Sequence, residues 1–316
     1  MRMLVLGANG QLAQSLAAED ARTPDLAVMA CGRPEIDLIH PGSIAAAIVQ
    51  LDVDIVVNAA AYTAVDAAEQ DQAAAFAINA AGAANAAIAA AHAGIPIVHV
   101  STDYVFSGED ATPYSEDDAP NPGTVYGRSK LAGETAVAAA NPNHAILRTA
   151  WVYSPWGSNF VRTMLRLAGE REMIRVVDDQ HGNPTYAPDL ATAIVTVGRR
   201  LLAAPDDWSL RGVFHLAGPE DTTWCGFARG IMEASDSLGG PCAGIVPITT
   251  AEYPTAAPRP RDSRLNTTAA YRAFGLRLPS RSASLRMCVE RILAEQKGVR
   301  VPGRLTGSSH IEKPAA

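Results

Sequence analysis

Residues 3–13 read Met-Leu-Val-Leu-Gly-Ala-Asn-Gly-Gln-Leu-Ala, and this stretch decides the fold. The apolar run 3–6 has the length of a buried strand and ends at Gly7, and Gly10 opens a helical pattern. Glycines in a strand–turn–helix unit let the backbone turn tightly and approach a pyrophosphate at the helix N-terminus. Because the third glycine of that fingerprint is Ala13 here, the pattern alone leaves an ordinary strand-to-helix turn open as the alternative.

Short apolar runs continue to alternate with longer helical patterns through the first half of the chain. This alternation is typical of a parallel sheet with helices on both faces. We therefore predict the α/β class, with a Rossmann-like, doubly wound parallel sheet. The predicted strands are 3–6, 26–30, 55–58, 97–100 and 145–149, and the predicted helices are 11–19, 43–50, 72–93 and 125–139.

After Trp151 the pattern changes to mixed segments rich in Pro, Arg and Trp. We predict an NAD(P)-binding domain at 1–150 and a smaller, mainly substrate-binding region at 151–297, with some segments returning to the main sheet. Residues 298–316 carry Gly, Ser and Pro without periodicity, so we expect a disordered tail. In the second region we predict strands near 174–177 and 212–216, and helices near 160–168, 188–202, 224–233 and 285–297.

Charge and cysteine usage limit the partners of this 316-residue chain. Lys and Arg total 26 against 33 Asp and Glu, a net charge of −7, and no basic cluster interrupts the sequence. This balance argues against nucleic acid or an anionic membrane as the main partner and favours a small soluble ligand. The cysteines are widely scattered, without a C-x-x-C pair, so we expect reduced thiols and a cytoplasmic protein.

No Asp, Glu, Lys or Arg occurs in residues 73–100. Asparagine, histidine, glycine and proline interrupt this stretch and alanine supplies little transfer free energy, so we do not expect a membrane span. A helix without charges on its outer face is covered either by its own chain or by a second copy. The second explanation predicts a homodimer. The candidate outward positions are Ala83, Ala87 and Ala90.

The segment after the second predicted strand bears on the choice of dinucleotide. An acidic residue there would hold the ribose hydroxyl of NAD, whereas an arginine accommodates the 2′-phosphate of NADP. Arg33 stands in this segment before the first acid, Glu35. The sequence therefore favours NADPH, with NADH as a second candidate, unless Arg33 is an ordinary solvated loop residue.

Tyr126 and Lys130 are four residues apart in a predicted helix and so lie on one face. A nearby ammonium lowers the pKa of a tyrosine from about 10 toward the working pH, as general acid catalysis of carbonyl reduction requires. The chain contains only two other lysines, Lys297 and Lys313, at or beyond the end of the last predicted helix. A chain that otherwise uses arginine thus keeps a lysine at this place, where a planar guanidinium would not replace it.

Residues 100–106 read Val-Ser-Thr-Asp-Tyr-Val-Phe and end the fourth predicted strand. This is the edge at which doubly wound sheets bind ligands, and the hydroxyl of Ser101 or Thr102 can donate to a carbonyl oxygen beside the tyrosine. By itself such a stretch is as consistent with a cap or turn.

Together these motifs resemble the extended short-chain dehydrogenase/reductase family, and within it the dTDP-4-dehydrorhamnose reductases. The resemblance spans about residues 1–297. Its most diagnostic runs are Ala-Ala-Ala-Tyr-Thr-Ala-Val-Asp at 59–66 and Asp-Gln-His-Gly-Asn-Pro-Thr at 179–185. It implies an NADPH-preferring reductase of the C4 ketone of dTDP-4-dehydro-β-L-rhamnose, the last step of dTDP-L-rhamnose biosynthesis, with hydride from nicotinamide.

The resemblance also implies roles for residues at matching positions. Tyr126 is expected to donate the proton, Lys130 to hold the nicotinamide ribose and tune Tyr126, and Thr102 to take part in catalysis. The residues expected to contact the dTDP-sugar substrate are Thr102, Asp103, Tyr126 and Trp151. The expected cofactor-binding residues are Gly7, Gly10, Gln11 and Leu12 at the pyrophosphate, Arg33, Asp37 and Leu38 at the adenosine end, and Ala59, Ala60 and Ala61 at the ribose, together with Tyr126 and Lys130.

One position departs from the family pattern. Some members dimerise through a magnesium ion held by carboxylates, and the matching residue on the first helix is Ser15, a poor ligand for that ion. We therefore expect no metal. Two alternatives stay open, which are a reductase of another nucleotide-linked 4-keto-deoxysugar and a non-catalytic, dinucleotide-binding regulatory subunit.

Overall fold

The computed structural model describes residues 1–298, so the tail predicted at 298–316 lies, apart from Gly298, outside the described residues. The strands in this part of the chain are β1 (Arg2–Leu6), β2 (Ala27–Cys31), β3 (Ile55–Asn58), β4 (Ile97–Thr102), β5 (His144–Thr149), β6 (Val152–Tyr153), β7 (Met173–Val177), β8 (His181–Gly182), β9 (Thr185–Tyr186), β10 (Gly212–His215), β11 (Thr222–Thr223) and β12 (Gly244–Ile248).

The helices of the same part are α1 (Gln11–Asp20), α2 (Pro41–Leu51), α3 (Val65–Ala68), α4 (Gln72–Phe76), α5 (Ala83–His92), α6 (Val125–Ala140), α7 (Phe160–Ala168), α8 (Ala187–Ala203), α9 (Trp224–Ser237), α10 (Thr268–Phe274) and α11 (Arg281–Gln296). A π-helical segment, Ala77–Gly82, joins α4 to α5. Short 3₁₀ turns lie at Asp103–Val105, Trp208–Leu210 and Thr250–Glu252.

Six strands form one parallel sheet in the order β10-β5-β4-β3-β1-β2. The chain passes from β1 to β2 on one side, then crosses back to β3 on the other side of β1 and continues in that direction to β4 and β5. Ligands of doubly wound sheets bind at such a switch point, beyond the carboxyl ends of the strands. The predicted α/β class and doubly wound parallel sheet are confirmed. β10 comes from the second region of the chain and pairs with β5.

Alternation along β1 gives each face of the sheet its own core. Met3 and Val5 belong to a cluster with residues of α1 and α8, and Leu4 and Leu6 belong to one with residues of α2 and α5. Both sets are almost fully buried, as expected of a parallel strand covered by helices on both sides. The loops after β1 and β3 are therefore the parts of this layer that can face a ligand.

The second region has a separate core. Buried side chains of α7, α9 and α11 pack with those of β7, and β7 pairs in parallel with β12. α7 is strongly amphipathic, with Val161, Met164, Leu165 and Ala168 on its buried side. This core supports the short strand pairs β6–β9 and β8–β11 at the edge of the cleft described below.

The charge-poor helix 72–92 is covered in part by its own chain. α5 packs between α2 and α6, and Ala83, Ala87 and Ala90 are each 0% exposed. Their assignment as outward positions was therefore wrong, because neighbouring helices cover more of this helix than the sheet alone would. Among the described residues, Gln72–His92 is the one helix that is long and apolar enough to cross a membrane. Core helices of soluble proteins meet the same two criteria.

The π-helical segment places Asn79 inside the protein. The Asn79 side chain accepts from Tyr62 N at 2.7 Å and donates to Tyr62 O at 3.1 Å and to Ser129 Oγ at 2.9 Å. The backbone carbonyl oxygen of Asn79 approaches Gly133 of α6 so closely that a Cβ on Gly133 would lie 2.1 Å from that oxygen. The widened turn thus connects the loop after β3 to α6, the helix that carries Tyr126 and Lys130.

Candidate active site

A cleft of about 1150 Å³ runs along the carboxyl edge of the sheet. It brings together every residue to which the sequence assigned a catalytic, cofactor or substrate role. These are Gly7, Gly10, Gln11, Leu12, Arg33, Asp37, Leu38, Ala59, Ala60, Ala61, Thr102, Asp103, Tyr126, Lys130 and Trp151. They come from segments up to 144 residues apart, so their convergence is a consequence of the fold rather than of local sequence.

The turn after β1 exposes the N-terminus of α1. Gly7 has φ +111°, and a Cβ on it would lie 3.1 Å from the backbone of Ala60. Gly10 is the N-cap and supplies no side-chain hydrogen bond to the first N–H groups of α1. These N–H groups and the helix dipole make this end of the cleft suited to a phosphate.

Gln11 uses its side chain differently from the expected pyrophosphate contact. Its Oε1 accepts from Ser154 Oγ at 2.8 Å and from Asn159 Nδ2 at 3.0 Å. Its Nε2 donates to Val152 O at 3.4 Å. The side chain therefore joins the start of α1 to the second region, and the backbone N–H is the group left for an anion.

The far end of the cleft is lined by the loop after β2, with Arg33 and Asp37. Arg33 is exposed and has no ion pair or hydrogen bond among the described residues. Asp37 Oδ2 lies 3.7 Å from His40 Nδ1, and Leu38 is buried against Gly82. Arg33 is therefore an unpaired cation beside the cleft.

Ser15, on the first helix, is buried and donates to Gln11 O at 2.8 Å. Its hydroxyl is thus engaged inside the helix. Among residues 1–298 no group of three or more His, Cys, Asp or Glu side chains is arranged to hold a metal ion.

Tyr126 lies in the first turn of α6, which is fixed at its start by a Thr124 cap and at its side by close packing. Thr124 Oγ1 accepts from Gly127 N at 3.0 Å, and a Cβ on Gly127 would lie 2.1 Å from Tyr104 O. The ring of Tyr126 meets that of Tyr104 edge to face, with centroids 5.6 Å apart. Glycine at 127 therefore lets the Tyr126 turn approach the end of β4.

The hydroxyl of Tyr126 meets the residues that end β4. Burial raises the pKa of Tyr126 to about 12, with a hydrogen bond to Thr102 acting in the opposite direction and Asp103 adding to the rise. The predicted lowering by Lys130 was wrong, because burial has the largest effect on this pKa and Lys130 is not among the groups that shift it. Tyr126 accordingly keeps its proton at neutral pH.

Thr102 and Asp103 form a small buried hydrogen-bond unit. Thr102 Oγ1 donates to Asp103 Oδ1 at 3.0 Å and accepts from Tyr104 N at 3.2 Å. Burial raises the pKa of Asp103 to about 6, against the lowering effect of its hydrogen bonds. The unit places one hydroxyl and one carboxyl beside Tyr126.

Lys130 is 2% exposed at the floor of the cleft. Its Nζ donates to Val100 O at 2.7 Å and lies 3.4 Å from His99 Nε2. Burial lowers the pKa of Lys130 to about 8, and Glu134 partly opposes this. Lys130 is therefore held by strand β4 rather than by solvent.

A buried ion pair that the sequence did not predict lies beneath Lys130. Arg148 of β5 donates to both carboxylate oxygens of Glu134, with Nη2 to Oε2 at 2.7 Å. Ser101 Oγ donates to Glu134 Oε1 at 2.5 Å. Breaking such a buried pair leaves an uncompensated charge, so it fixes α6 against β4 and β5.

Trp224 is a second residue that sequence reasoning missed. It lines the cleft and stacks on Trp151, with ring centroids 3.6 Å apart. The two residues are 73 positions apart in sequence, and only the N-terminal capping pattern at Thr223 marks the place. The pair forms an aromatic wall on the side of the second region.

Comparison with known proteins places this architecture in a family. A model of the family described as "RmlD substrate binding domain" matches residues 1–294. The chain is 48% identical over 297 residues to a dTDP-4-dehydrorhamnose reductase of Sinorhizobium fredii, which covers 94% of this chain and 99% of that protein.

Two solved structures are similar over nearly their full length. The dTDP-4-dehydrorhamnose reductase of Clostridium acetobutylicum has a TM-score of 0.84 and 34% identity, covering 93% of this chain and 100% of that one. That of Bacillus anthracis, in complex with NADP, has a TM-score of 0.82 and 34% identity, covering 91% and 98%. The chain therefore belongs to the RmlD substrate binding domain family, and the three relatives named here are dTDP-4-dehydrorhamnose reductases.

Proposed function

We propose that the chain is an NADPH-preferring reductase that converts dTDP-4-dehydro-β-L-rhamnose to dTDP-L-rhamnose. One observation carries the proposal, which is that Tyr126 and Lys130 line the same cleft as the uncapped N-terminus of α1 and the unpaired Arg33. The relatives named above support the substrate, and the NADP complex of the Bacillus anthracis protein supports the cofactor.

The residues along the cleft fit a dinucleotide phosphate. The close approach of Gly7 to Ala60 and the free N–H groups after Gly10 suit a pyrophosphate. Arg33 suits the additional 2′-phosphate, because a guanidinium pairs with phosphate through two parallel hydrogen bonds. NADPH, when bound, supplies the hydride for the carbonyl carbon. The residues that would hold it are Gly7, Gly10, Gln11, Leu12, Arg33, Asp37, Leu38, Ala59, Ala60, Ala61 and Lys130.

Tyr126 is the proton donor in this proposal. Its raised pKa keeps the phenol protonated at neutral pH, so the proton is present when negative charge develops on the carbonyl oxygen. Thr102 and Asp103 hold the reacting end of the sugar beside that phenol. Positioning of this kind and general acid catalysis by Tyr126 both lower the barrier, and the latter typically raises the rate by about 10²–10⁴-fold.

Trp151 forms the opposite wall of the substrate site. Its indole, stacked on Trp224, offers a flat apolar surface. A deoxysugar or a thymine ring presents matching apolar faces, which supports the assignment of this wall to the dTDP-sugar.

Location and assembly are also proposals. The four cysteines are free, which supports a cytoplasmic location, where thiols stay reduced. A homodimer stays a prediction, and its support is now the exposed apolar side chains of Val49 on α2 and Ile88 on α5. Sedimentation at micromolar concentration tests it, and a monomer there would reject it.

A turnover assay separates the candidate functions. Purified protein is mixed with dTDP-4-dehydrorhamnose and either NADPH or NADH, and oxidation of the cofactor is followed by absorbance. Faster turnover with NADPH supports the proposal. Turnover only with a different nucleotide-linked 4-keto sugar would show the alternative reductase, and dinucleotide binding without turnover would show a regulatory subunit.

A further inference from the structure

A chain of hydrogen-bonding groups runs beneath the cleft from the loop after β3 to Lys130. Ala60 N donates to Asn58 Oδ1 at 3.3 Å, and Asn58 Nδ2 lies 3.1 Å from His99 Nδ1. His99 Nε2 lies 3.4 Å from Lys130 Nζ, which donates to Val100 O at 2.7 Å. Asn58 and His99 are at most 1% exposed, so no solvent satisfies these groups.

The donor and the acceptor of each hydrogen bond in this series can be assigned by starting from Ala60 N. A backbone N–H is always a donor, so the oxygen of the Asn58 amide faces Ala60 and its NH₂ faces His99. His99 Nδ1 must then accept. Burial is the main cause that lowers the pKa of His99 well below 6.5, so the ring is neutral and, with Nδ1 accepting, carries its one proton on Nε2.

The N–H on His99 Nε2 faces Lys130 Nζ, the last group in this series of hydrogen bonds. An ammonium has three N–H donors and no lone pair, so it would set donor against donor at this contact. A neutral amine accepts from His99 Nε2 and still donates to Val100 O. The amine is therefore the form in which all four contacts of the buried chain pair a donor with an acceptor.

We propose that Asn58 and His99 are positioning residues that favour the neutral amine of Lys130, as a hydrogen-bond acceptor, over the ammonium. They thereby lower the pH below which Lys130 carries a positive charge at the floor of the cleft. The inference rests on the proposed function for the importance of Lys130 to turnover, and it rests on the hydrogen-bond geometry for the state of the amine.

The charged groups around Lys130 do not explain why it should favour the neutral amine. On its own helix Glu134 favours the ammonium, but that carboxylate is paired with Arg148 of β5 and bonded to Ser101 of β4. After β4, Asp103 is buried with a raised pKa of about 6, and Tyr126 is a phenol. On β5, His144 contributes to the lowered pKa of His99, and its Nδ1 lies 2.7 Å from Asn141 O.

Nuclear magnetic resonance reports the protonation states of His99 and Lys130 without an activity assay. The protein has three lysines, so lysine labelled with ¹³C at Cε gives three titrating signals, and Lys130→Arg identifies that of Lys130. ¹⁵N-labelled histidine reports which ring nitrogen carries the proton, and His99→Gln identifies the signal of His99. Nucleotide-free, full-length protein is used throughout.

In the wild type we expect His99 to carry its proton on Nε2 and Lys130 to titrate below its ordinary pKa. In His99→Gln the carboxamide oxygen can face Lys130, so its pKa should rise by about one unit or more. The matched control is His144→Gln, on the neighbouring strand without a contact to Lys130, and it should leave the titration of Lys130 within about 0.2 units.

Asn58→Asp provides a second variant that keeps the acceptor for Ala60 N. A carboxylate faces His99, so the ring proton should move to Nδ1, and Nε2 should accept from the Lys130 ammonium. A proton on Nδ1 in the wild type, or an unchanged Lys130 titration in His99→Gln, would overturn the proposal. If both signals behave as expected but NADPH is not oxidised with the dTDP-sugar, the proposed function fails and this inference about Lys130 stands.

Discussion

Trp151 and Trp224 stack face to face, with ring centroids 3.6 Å apart and ring planes 5° from parallel. Trp151 has φ +44°, in the left-handed region that favours glycine. The surroundings hold it there, since a Cβ on Gly182 would lie 2.4 Å from the Trp151 ring. Strained backbone of this kind persists at ligand sites when packing over-determines it, which supports a role for the pair in holding substrate.

Trp224→Leu should weaken substrate binding. The change keeps an apolar side chain on α9 but removes the ring against which Trp151 stacks, so we expect KM for the dTDP-sugar to rise by about tenfold. The Kd for NADPH should change little. Trp208→Leu, at a 61% exposed tryptophan outside the cleft, is the control. Equal KM values for the two variants would contradict a substrate role for the stacked pair.

Tyr126→Phe should abolish most turnover. The ring and its edge contact with Tyr104 remain, but the proton is lost, so we expect kcat to fall by at least about 10²-fold with little change in NADPH binding. Stopped-flow absorbance and fluorescence titration measure the two quantities. Tyr104→Phe is the comparison, and a similar fall in both variants would remove Tyr126 from its special role.

Lys130→Arg tests shape against charge. Lys130 Nζ is enclosed between Val100 O at 2.7 Å and His99 Nε2 at 3.4 Å, and a planar guanidinium does not fit those contacts. We expect more than about tenfold loss of kcat. Lys297→Arg, at the exposed end of α11, carries the same substitution as a control. Wild-type turnover in Lys130→Arg would show that only the positive charge matters.

Arg33→Ala should change cofactor preference. Its guanidinium is unpaired beside the cleft, so its removal should raise Kd for NADPH by about tenfold or more and leave Kd for NADH nearly unchanged. Isothermal titration with both cofactors measures this. Arg128→Ala, at an exposed arginine of α6 outside the cleft, is the control. Equal losses for NADPH and NADH would make Arg33 a solvated loop residue.

Local patterns in the sequence were enough to predict the main sheet and the first half of the cleft. The strand–turn–helix at 3–13 needs only its own glycines and apolar residues, and the spacing of Tyr126 and Lys130 puts both on one face of any helix. Each of these features depends on contacts within a few residues. For this reason the predicted positions of β1, α1 and α6 agree with the structure.

Features that depend on distant packing were missed. Nothing near Trp224 indicates that it meets Trp151, and nothing near Asn58 indicates that its amide orients His99 on another strand. The error at Ala83 and Ala87 has the same origin. An alanine face shows no sign of what covers it, and the position of α2 and α6 was needed to show that it is buried.

Asp103→Asn should stabilise the protein in a pH-dependent manner. Burial raises the pKa of Asp103 from 3.8 to about 6 in the folded state, so the folded protein binds its proton more tightly than the unfolded chain does. Stability contributed by this proton is full below pH 3.8 and is lost as the pH rises through about 6. At higher pH the wild type therefore carries a buried carboxylate that the neutral amide of the variant avoids.

The difference in free energy of unfolding between variant and wild type should accordingly grow from pH 4 to pH 7 and then level off. Its size should be on the order of 1–3 kcal/mol, and urea unfolding at intervals of one pH unit measures it. Asp118→Asn is the control of opposite sign, because hydrogen bonds from Ser115 lower the pKa of that exposed carboxyl despite a small opposing effect of burial. A difference for Asp103→Asn that is the same at pH 4 and pH 8 would show that Asp103 titrates normally in the folded protein, and that its burial beside Thr102 does not govern its charge.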